Sequence, residues 1–224
     1  MTILCVIPAR GGSKRVPRKN LQMVGGKPLL AWSIEAALGV GLDPIVSSED
    51  EEILATAEMC GAICLRRPLE LSADDASTEG VLIHALNMYH GDWVMCLPPT
   101  SPMRDSYAIS KVLEAPRAHE TDCVMTVTEY RGDLWEKHGT YLHRIQQGAP
   151  RRQQERIPLW EENSAVYLTN AQSLWMTRSV LGYGNVLGVP ISREEGWDIN
   201  DELDLRVADM LLKARPKLPP PVTL

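Results

Sequence analysis

The chain has 224 residues and a formal net charge of −6 at pH 7, with 44% hydrophobic and 23% charged residues. This composition is typical of one large globular domain with a substantial core. No apolar stretch approaches the roughly 18 residues of a membrane span, and residues 1–7 are too few for a secretory signal. We therefore expect a cytoplasmic protein with no membrane partner.

The first loop, residues 8–20, follows an apolar strand predicted at 3–7 and precedes a helix predicted over 27–38. Open α/β sheets bind ligands at the carboxyl ends of their strands, which is where this loop lies. Five Lys and Arg residues fall between positions 10 and 19, and no Asp or Glu occurs in residues 1–34. Positive charge concentrated on an acidic chain favours a nucleoside triphosphate over a nucleic acid, which needs a broad basic face. A solvated basic loop without function is the alternative.

Gly11 and Gly12 let the backbone of this loop approach a ligand and offer it N–H groups. However, neither the Gly-Lys-Ser/Thr phosphate-loop spacing nor the Gly-x-Gly-x-x-Gly pattern of dinucleotide sites follows the first strand. We therefore expect side chains, more than backbone amides, to hold the phosphates.

Further strands are predicted at 45–48, 62–65, 93–97 and 122–127, with helices between them. Such alternation indicates an α/β fold with a mostly parallel sheet and right-handed crossovers. The acidic residues 49–52 begin the second helix, and we expect them to act only as partners of its dipole.

The pattern changes in residues 129–162, a polar segment with scattered aromatic residues and a hairpin predicted at 138–145. An isolated hairpin is marginally stable, so this one must pack on something. The chain re-enters the sheet at 163–168, adds a last strand at 184–189, and forms a helix after residue 200. The tail, 216–224, contains three consecutive prolines and is expected to be extended and loose.

Five segments, in order along nearly the whole chain, closely resemble motifs of the acylneuraminate cytidylyltransferase family. They are residues 7–20, 67–71, 99–104, 151–154 and 197–205. The resemblance implies one Rossmann-like nucleotidyltransferase domain over residues 1–215. It also implies a homodimer, with residues 129–162 as a hairpin dimerisation arm that reaches toward the partner's active site.

The resemblance implies transfer of CMP from CTP to the anomeric hydroxyl of a nine-carbon 2-keto sugar acid, with release of pyrophosphate and use of Mg²⁺. It gives the triphosphate to Arg10, Lys14 and Lys19 and the metal to Asp198 and Asn200. The implied nucleotide contacts are Ala9, Gly11, Gly12, Ser13, Asn20, Arg67, Ser77 and Thr78. The implied sugar contacts are Thr100, Ser101, Arg104, Arg152, Gln153 and Asn163. Ser77 and Thr78 are explained equally well as helix-capping residues.

Two positions depart from the family pattern. The family's metal motif is Asp-x-Asp, whereas this chain has Asn200, which keeps a ligating oxygen but removes one negative charge. Asp201 is adjacent, either compensating for that charge or capping the following helix. Pro98 stands where most relatives carry Gln, so one candidate sugar contact is absent, and the sequence does not choose among N-acetylneuraminic, legionaminic and pseudaminic acids.

Two other functions stay open. One is a binding protein of the same fold, with catalysis weakened or lost at Asn200 and Pro98. The other is a nucleotidyltransferase of the Kdo type, although those enzymes usually show Gln-Gly-Asp-Glu-Pro after the fourth strand. The intact set of Arg10, Lys14 and Lys19 favours catalysis.

Overall fold

The computed structural model describes residues 1–115 and 120–215. The strands are β1 Ile3–Pro8, β2 Met23–Val24, β3 Lys27–Pro28, β4 Pro44–Ser48, β5 Ile63–Arg66, β6 Trp93–Cys96, β7 Cys123–Tyr130, β8 Trp135–His138, β9 Tyr141–Arg144, β10 Leu159–Asn170 and β11 Val186–Pro190. The α-helices are α1 Leu29–Leu38, α2 Glu51–Met59, α3 Thr78–Met88, α4 Ser106–Glu114, α5 Ala171–Thr177 and α6 Glu202–Ala214. The predicted tail, 216–224, lies outside the described residues.

The main sheet has seven strands in the order β11-β7-β10-β6-β1-β4-β5. Strand β10 runs antiparallel to both of its neighbours, and the other four pairings are parallel. The prediction of an α/β fold with a mostly parallel sheet is confirmed. The strand predicted at 163–168 is present, but it extends from Leu159 to Asn170.

The central strands read as continuous apolar runs because both faces of the sheet are covered. On one face Ile7 and Val46 pack with Ile34 of α1. On the other face Val6 and Val94 pack with Leu82 of α3. Helices on both faces leave the carboxyl ends of β1, β4 and β6 free at one edge of the sheet, and the loops that follow these strands meet there.

The segment predicted as an inserted arm is shorter than 129–162. Tyr130 pairs with Leu159, and Val127 pairs with Glu162, so both ends of the predicted arm belong to the main sheet. The insertion is therefore residues 131–158. It carries the predicted hairpin, formed by β8 and β9, with Trp135 opposite Arg144.

Charged side chains fasten this insertion at its base. Asp133 forms ion pairs with Arg144 at 2.6 Å and with Arg156 at 2.8 Å. Arg156 is buried and also donates to the backbone carbonyls of Pro150 and Arg131. The hairpin is thus held by ion pairs and carbonyl contacts instead of an apolar core of its own.

The apolar periodicity of the sequence did not predict two secondary-structure features. The short β2–β3 ribbon delays the start of the first helix to Leu29, and α5 follows β10 directly. The ribbon is anchored to the last helix, since the Gly25 N–H donates to Asp209 at 2.9 Å. Among the described residues, no helix is both long and apolar enough to cross a membrane.

Candidate active site

A cleft of about 480 Å³ opens where the loops after β1, β5 and β6 meet. We call it the first cleft. Many of the residues predicted to bind nucleotide or phosphate line it: Arg10, Ser13, Lys14, Lys19, Asn20, Arg67, Ser77 and Thr78. Pro98 and Thr100 line its wall on the β6 side. The structure thus brings the basic first loop and the loop of Arg67 to one cavity, although they lie far apart in the sequence.

Backbone contacts fix the first loop to the sheet. The Ala9 N–H donates to the Ser47 carbonyl at 3.0 Å, and Asn20 Nδ2 donates to the Arg10 carbonyl at 2.9 Å. Ala9 is fully buried, so neither its N–H nor its side chain faces the first cleft. Its predicted nucleotide contact is not supported by this arrangement, whereas Asn20 acts by holding the loop.

The two glycines of the loop differ. The Gly11 N–H donates to Glu49 Oε1 at 2.8 Å. A side chain at Gly11 would clash with Asp50, coming within 3.0 Å of its Cβ, whereas a side chain at Gly12 would meet open space. The small size of Gly11 therefore serves packing against residue 50, and of the two only Gly12 has the open approach predicted for a ligand.

Glu49 accepts hydrogen bonds from two separate loops. In addition to Gly11, it receives Arg67 Nη2 at 3.0 Å and Ser72 Oγ at 2.7 Å. Burial opposes ionisation of Glu49, but hydrogen bonds from Ser72 and Gly11 lower the pKa of its carboxyl below the usual value. Burial lowers the pKa of Arg67, and the nearby Glu49 carboxylate opposes that shift.

The expectation that acids 49–52 act only on the helix dipole is wrong for Glu49. Asp50 does cap α2 by accepting from the N–H groups of Glu52 and Ile53, and it also pairs with Arg18. Glu49 thus contacts two loops, and Asp50 caps the helix. Of these two roles, only capping can be predicted from the residue type and its position before a helix.

Asp74 places a carboxylate among the cations of the first loop. It pairs with Lys14, and it lies 3.4 Å from Arg10 Nη1. The Lys14 hydrogen bond lowers the pKa of Asp74 below its usual range. An anion on this loop would therefore compete with Asp74, a residue that no motif or spacing in the sequence singled out.

A second cleft of about 320 Å³ lies beside the segment that carries Asp198. It is lined by Asn163, Ser164, Arg193, Asp198 and Asn200, together with Glu161, Glu162 and Asp204. Two contacts tie this segment to the first loop: Lys19 Nζ donates to the Ile199 carbonyl at 2.9 Å, and Arg15 Nη2 donates to Asn200 Oδ1 at 3.2 Å. The two clefts are therefore neighbours.

The predicted metal residues fit a magnesium site only in part. Asn200 turns its Nδ2 donor toward Asp198 Oδ2 at 2.7 Å, so its amide must turn over before its oxygen could join Asp198 as a ligand. Asp201 accepts from the N–H groups of Leu203 and Asp204 in a capping box, so capping explains it. In the described part of the chain, no group of three or more Asp, Glu, His or Cys side chains could hold a metal. Mg²⁺ commonly uses one or two carboxylates with substrate phosphates and water, and Asp198 suits that mode.

The predicted sugar contacts divide into buried and exposed sets. Arg104 is buried and donates to the Ala165 carbonyl at 2.7 Å and to Ser33 Oγ at 2.5 Å. Burial lowers its pKa to about 10. Asn163 is also buried, accepting from Thr126 Oγ1 at 2.7 Å and donating to Thr128 Oγ1 at 2.9 Å. These bonds give Arg104 and Asn163 a structural task, and direct sugar contact by either stays a prediction.

The remaining sugar predictions also vary in placement. Ser101 is fully buried, whereas Thr100 lines the first cleft. Arg152 and Gln153 are exposed in the insertion, where Arg152 lies 3.4 Å from Glu155, and neither lines either cleft of the described chain. The sequence did not predict Ser164 as a site residue. Ser164 has a left-handed φ of 56° at a bulge in β10 and lines the second cleft.

Comparison with known proteins agrees with the motifs. A family model described as cytidylyltransferase matches residues 4–180. An N-acylneuraminate cytidylyltransferase of Escherichia coli O18:K1:H7 is 33% identical over 217 residues, which are 92% of this chain and 51% of that protein. A pseudaminic acid cytidylyltransferase of Campylobacter jejuni serotype O:2 is 30% identical over 228 residues, which are 95% of this chain and 97% of that protein. The chain thus spans about half the length of the first relative and nearly all of the second.

Solved structures share the fold. A CMP:2-keto-3-deoxy-manno-octonic acid synthetase complexed with CTP matches with a TM-score of 0.72 at 18% identity, over 95% of this chain and 98% of that one. A 4-diphosphocytidyl-2C-methyl-D-erythritol synthase from Anaerococcus prevotii matches with a TM-score of 0.67 at 13% identity, over 95% and 98%. The family match and the two relatives confirm the resemblance seen in the motifs, and the chain belongs to the cytidylyltransferase family.

Proposed function

We propose that this cytidylyltransferase transfers CMP from CTP to the anomeric hydroxyl of a nine-carbon 2-keto sugar acid. The observation that carries the proposal is the first cleft, where Arg10, Lys14 and Lys19 face the loop of Arg67. A nucleoside triphosphate presents a polyanion at one end and a polar base edge at the other. The cleft offers the cations to the polyanion and the buried guanidinium of Arg67 to the base edge.

In the proposed reaction the hydroxyl oxygen of the sugar acid attacks the α-phosphorus of CTP, and the hydroxyl proton is released to water. The bond from that phosphorus to the bridging oxygen of the β-phosphate breaks, and pyrophosphate leaves. Catalysis of such a transfer consists mainly of positioning and charge stabilisation. Arg10 and Lys14 would hold the phosphates that leave, and Lys19 would stabilise the charge that develops near Asp198. Mg²⁺, if bound at Asp198, would neutralise further phosphate charge.

Recognition of cytosine would rest on the wall of the first cleft that the segment after β5 forms. Arg67 and Thr78 line that wall. Ser77 accepts from the Gly80 N–H at 3.1 Å and so caps α3, which fixes the corner that carries Thr78. Capping and base binding are compatible here, because the cap uses the Ser77 hydroxyl and leaves the neighbouring Thr78 hydroxyl at the cleft.

The acceptor would occupy the second cleft. Two relatives are named for N-acylneuraminate and pseudaminic acid, which supports a sugar acid as the acceptor. Among the residues that the structure describes, Arg193 is the one Lys or Arg that lines this cleft, and it suits the carboxylate of such an acid. Asp198 lines the same cleft, and the carbonyl of the next residue, Ile199, accepts from Lys19 of the first loop.

The oligomeric state and the location belong to the same proposal. Exposed apolar side chains gather on and beside the insertion, including Trp135, Tyr141, Leu142 and Trp160. Such side chains on a hairpin suit burial in a homodimer interface. A cytoplasmic location remains part of the proposal.

The proposal is tested by pyrophosphate release from CTP and Mg²⁺ with a panel of acceptors. The panel contains N-acetylneuraminic, legionaminic and pseudaminic acids, the eight-carbon acid Kdo, and a blank without acceptor. We expect release that depends on at least one nine-carbon acid and exceeds the rates of the blank and of Kdo. Preference for Kdo would instead indicate the Kdo branch, and CTP binding without release would indicate a binding protein.

A further inference from the structure

Glu49 lies between β4 and α2, and its side chain is only 13% exposed. Its two oxygens serve different loops. Oε1 accepts the Gly11 N–H of the first loop at 2.8 Å, whereas Oε2 accepts Arg67 Nη2 at 3.0 Å and Ser72 Oγ at 2.7 Å. One carboxylate therefore connects the loop of the phosphate-binding cations to the loop of the proposed base reader.

We propose that Glu49 is a positioning residue for nucleotide selection. It orients Arg67 toward the base while it holds the first loop at a fixed distance from Arg67. This inference rests on the proposed function, because it requires that the first cleft binds CTP.

The orientation of Arg67 depends directly on Glu49. The Arg67 side chain is 3% exposed, and Nε donates to Ser72 Oγ at 2.8 Å while Nη2 donates to Glu49. Ser72 Oγ itself donates to Glu49, so both anchors of the guanidinium lead to the same carboxylate. A planar guanidinium held at two nitrogens has little freedom to rotate.

A fixed guanidinium can distinguish pyrimidines by their hydrogen-bonding edges. Cytosine presents N3 as an acceptor, whereas uracil presents an N3–H donor at the same place. A donor held rigidly at that edge favours cytosine, because uracil would leave two donors facing each other. Loss of the anchor should therefore reduce discrimination as well as affinity.

The first loop is also held close to the segment that carries Glu49. The backbone at Gly11 packs closely against Asp50, the residue after Glu49. The first loop and the loop of Arg67 are therefore both held against the segment of Glu49 and Asp50, in addition to the direct contact of Lys14 with Asp74.

The test compares the parent with Glu49→Gln, using isothermal titration of the intact protein with CTP and with UTP, in the absence of sugar acid. A Gln side chain can still accept from Gly11, but its NH₂ group would face two donors and leave Arg67 as a buried, unpaired cation. We expect the Kd for CTP to rise about 10-fold or more, as for loss of a charged hydrogen bond. We expect the ratio of UTP Kd to CTP Kd to fall by a similar factor.

Glu58→Gln on the exposed side of α2 is the matched control, and we expect parental affinities from it. Ser72→Ala removes one anchor without a change of charge, and we expect a smaller shift in the same direction. If circular dichroism shows that Glu49→Gln is unfolded, the Ser72→Ala variant is used for the test instead.

Two results would overturn the inference about Glu49 and leave the proposed function standing. One is parental CTP and UTP affinities in Glu49→Gln or, if that variant is unfolded, in Ser72→Ala. The other is an equal loss of affinity for both nucleotides, which would mark a purely structural residue. A parent protein that binds neither nucleotide would instead overturn the proposed function, and the inference with it.

Discussion

Lys19 and Ile199 are 180 positions apart in the sequence, and Lys19 Nζ donates a 2.9 Å hydrogen bond to the Ile199 carbonyl. Burial lowers the pKa of Lys19, and the adjacent Asp198 carboxylate opposes that shift. The contact joins the basic first loop to the segment of the proposed metal residue. It is the structural reason for assigning the first and second clefts to one reaction centre.

The cations of the first loop should stabilise the transition state. We expect Arg10→Ala and Lys14→Ala each to lower kcat on the order of 10²–10³-fold, as removal of a preorganised electrostatic donor does in other enzymes. Steady-state rates of pyrophosphate release measure the effect. Lys213→Ala, on the exposed side of α6, is the control and should keep the parental rate. Rates within twofold of the parent for both loop variants would make this a solvated basic loop.

Asp74 should compete with the phosphates of the nucleotide. Its carboxylate pairs with Lys14 and lies near Arg10, so Asp74→Asn removes an internal anion from the cation set. We expect a lower KM for CTP, with the largest change at low ionic strength because these groups are solvent-exposed. Asp75→Asn on the same loop is the control. An increase in KM for Asp74→Asn would show that Asp74 helps to build the phosphate site instead.

The proposed metal residue gives a sharp pair of variants. Asp198→Asn should remove most activity at any Mg²⁺ concentration, because a neutral amide cannot replace the carboxylate beside the phosphates. Asn200→Asp should lower the Mg²⁺ concentration needed for half-maximal rate, since it restores a second charge and removes the donor that faces Asp198. The measurement is rate against Mg²⁺ concentration. Full activity of the parent in excess EDTA, or parental activity of Asp198→Asn, would contradict the assignment.

The insertion should mediate dimerisation. Light scattering at micromolar concentration should show a dimer of the parent protein. Deletion of the hairpin tip around Gly139 should weaken the dimer because it removes part of the exposed apolar surface near Tyr141. Circular dichroism of the deletion variant checks that the main sheet persists. A monomeric parent protein would reject this prediction.

The alternation of strands and helices predicted the main sheet because its central strands are buried on both faces. The antiparallel direction of β10 was not predictable in the same way. It depends on pairing of Tyr167 with Cys96 and Met125, which are distant in the sequence. Local apolar patterns report burial, whereas strand direction is a tertiary property.

The sequence predicted which residues lie at the first cleft where their charge was the signal, as at Arg10 and Lys14. Site residues were predicted less well where the direction of a side chain decides its role. Arg104 is a cation in a loop motif, yet its guanidinium lies in the core beside Ser33. Glu49 is one of four consecutive acids, and only the tertiary structure shows that it contacts Gly11 and Arg67, whereas the next acid, Asp50, caps the helix and pairs with Arg18. Periodicity cannot separate these cases.

The measurement that tests the central claim most directly is ³¹P NMR of a reaction that contains the parent protein, CTP, Mg²⁺ and one nine-carbon 2-keto sugar acid. Attack by the sugar hydroxyl on the α-phosphorus predicts a phosphodiester signal of a CMP-sugar that grows in equal amount with pyrophosphate as CTP is consumed. Pyrophosphate accompanied by free CMP, or CTP that stays intact with every acid of the panel, would contradict the account.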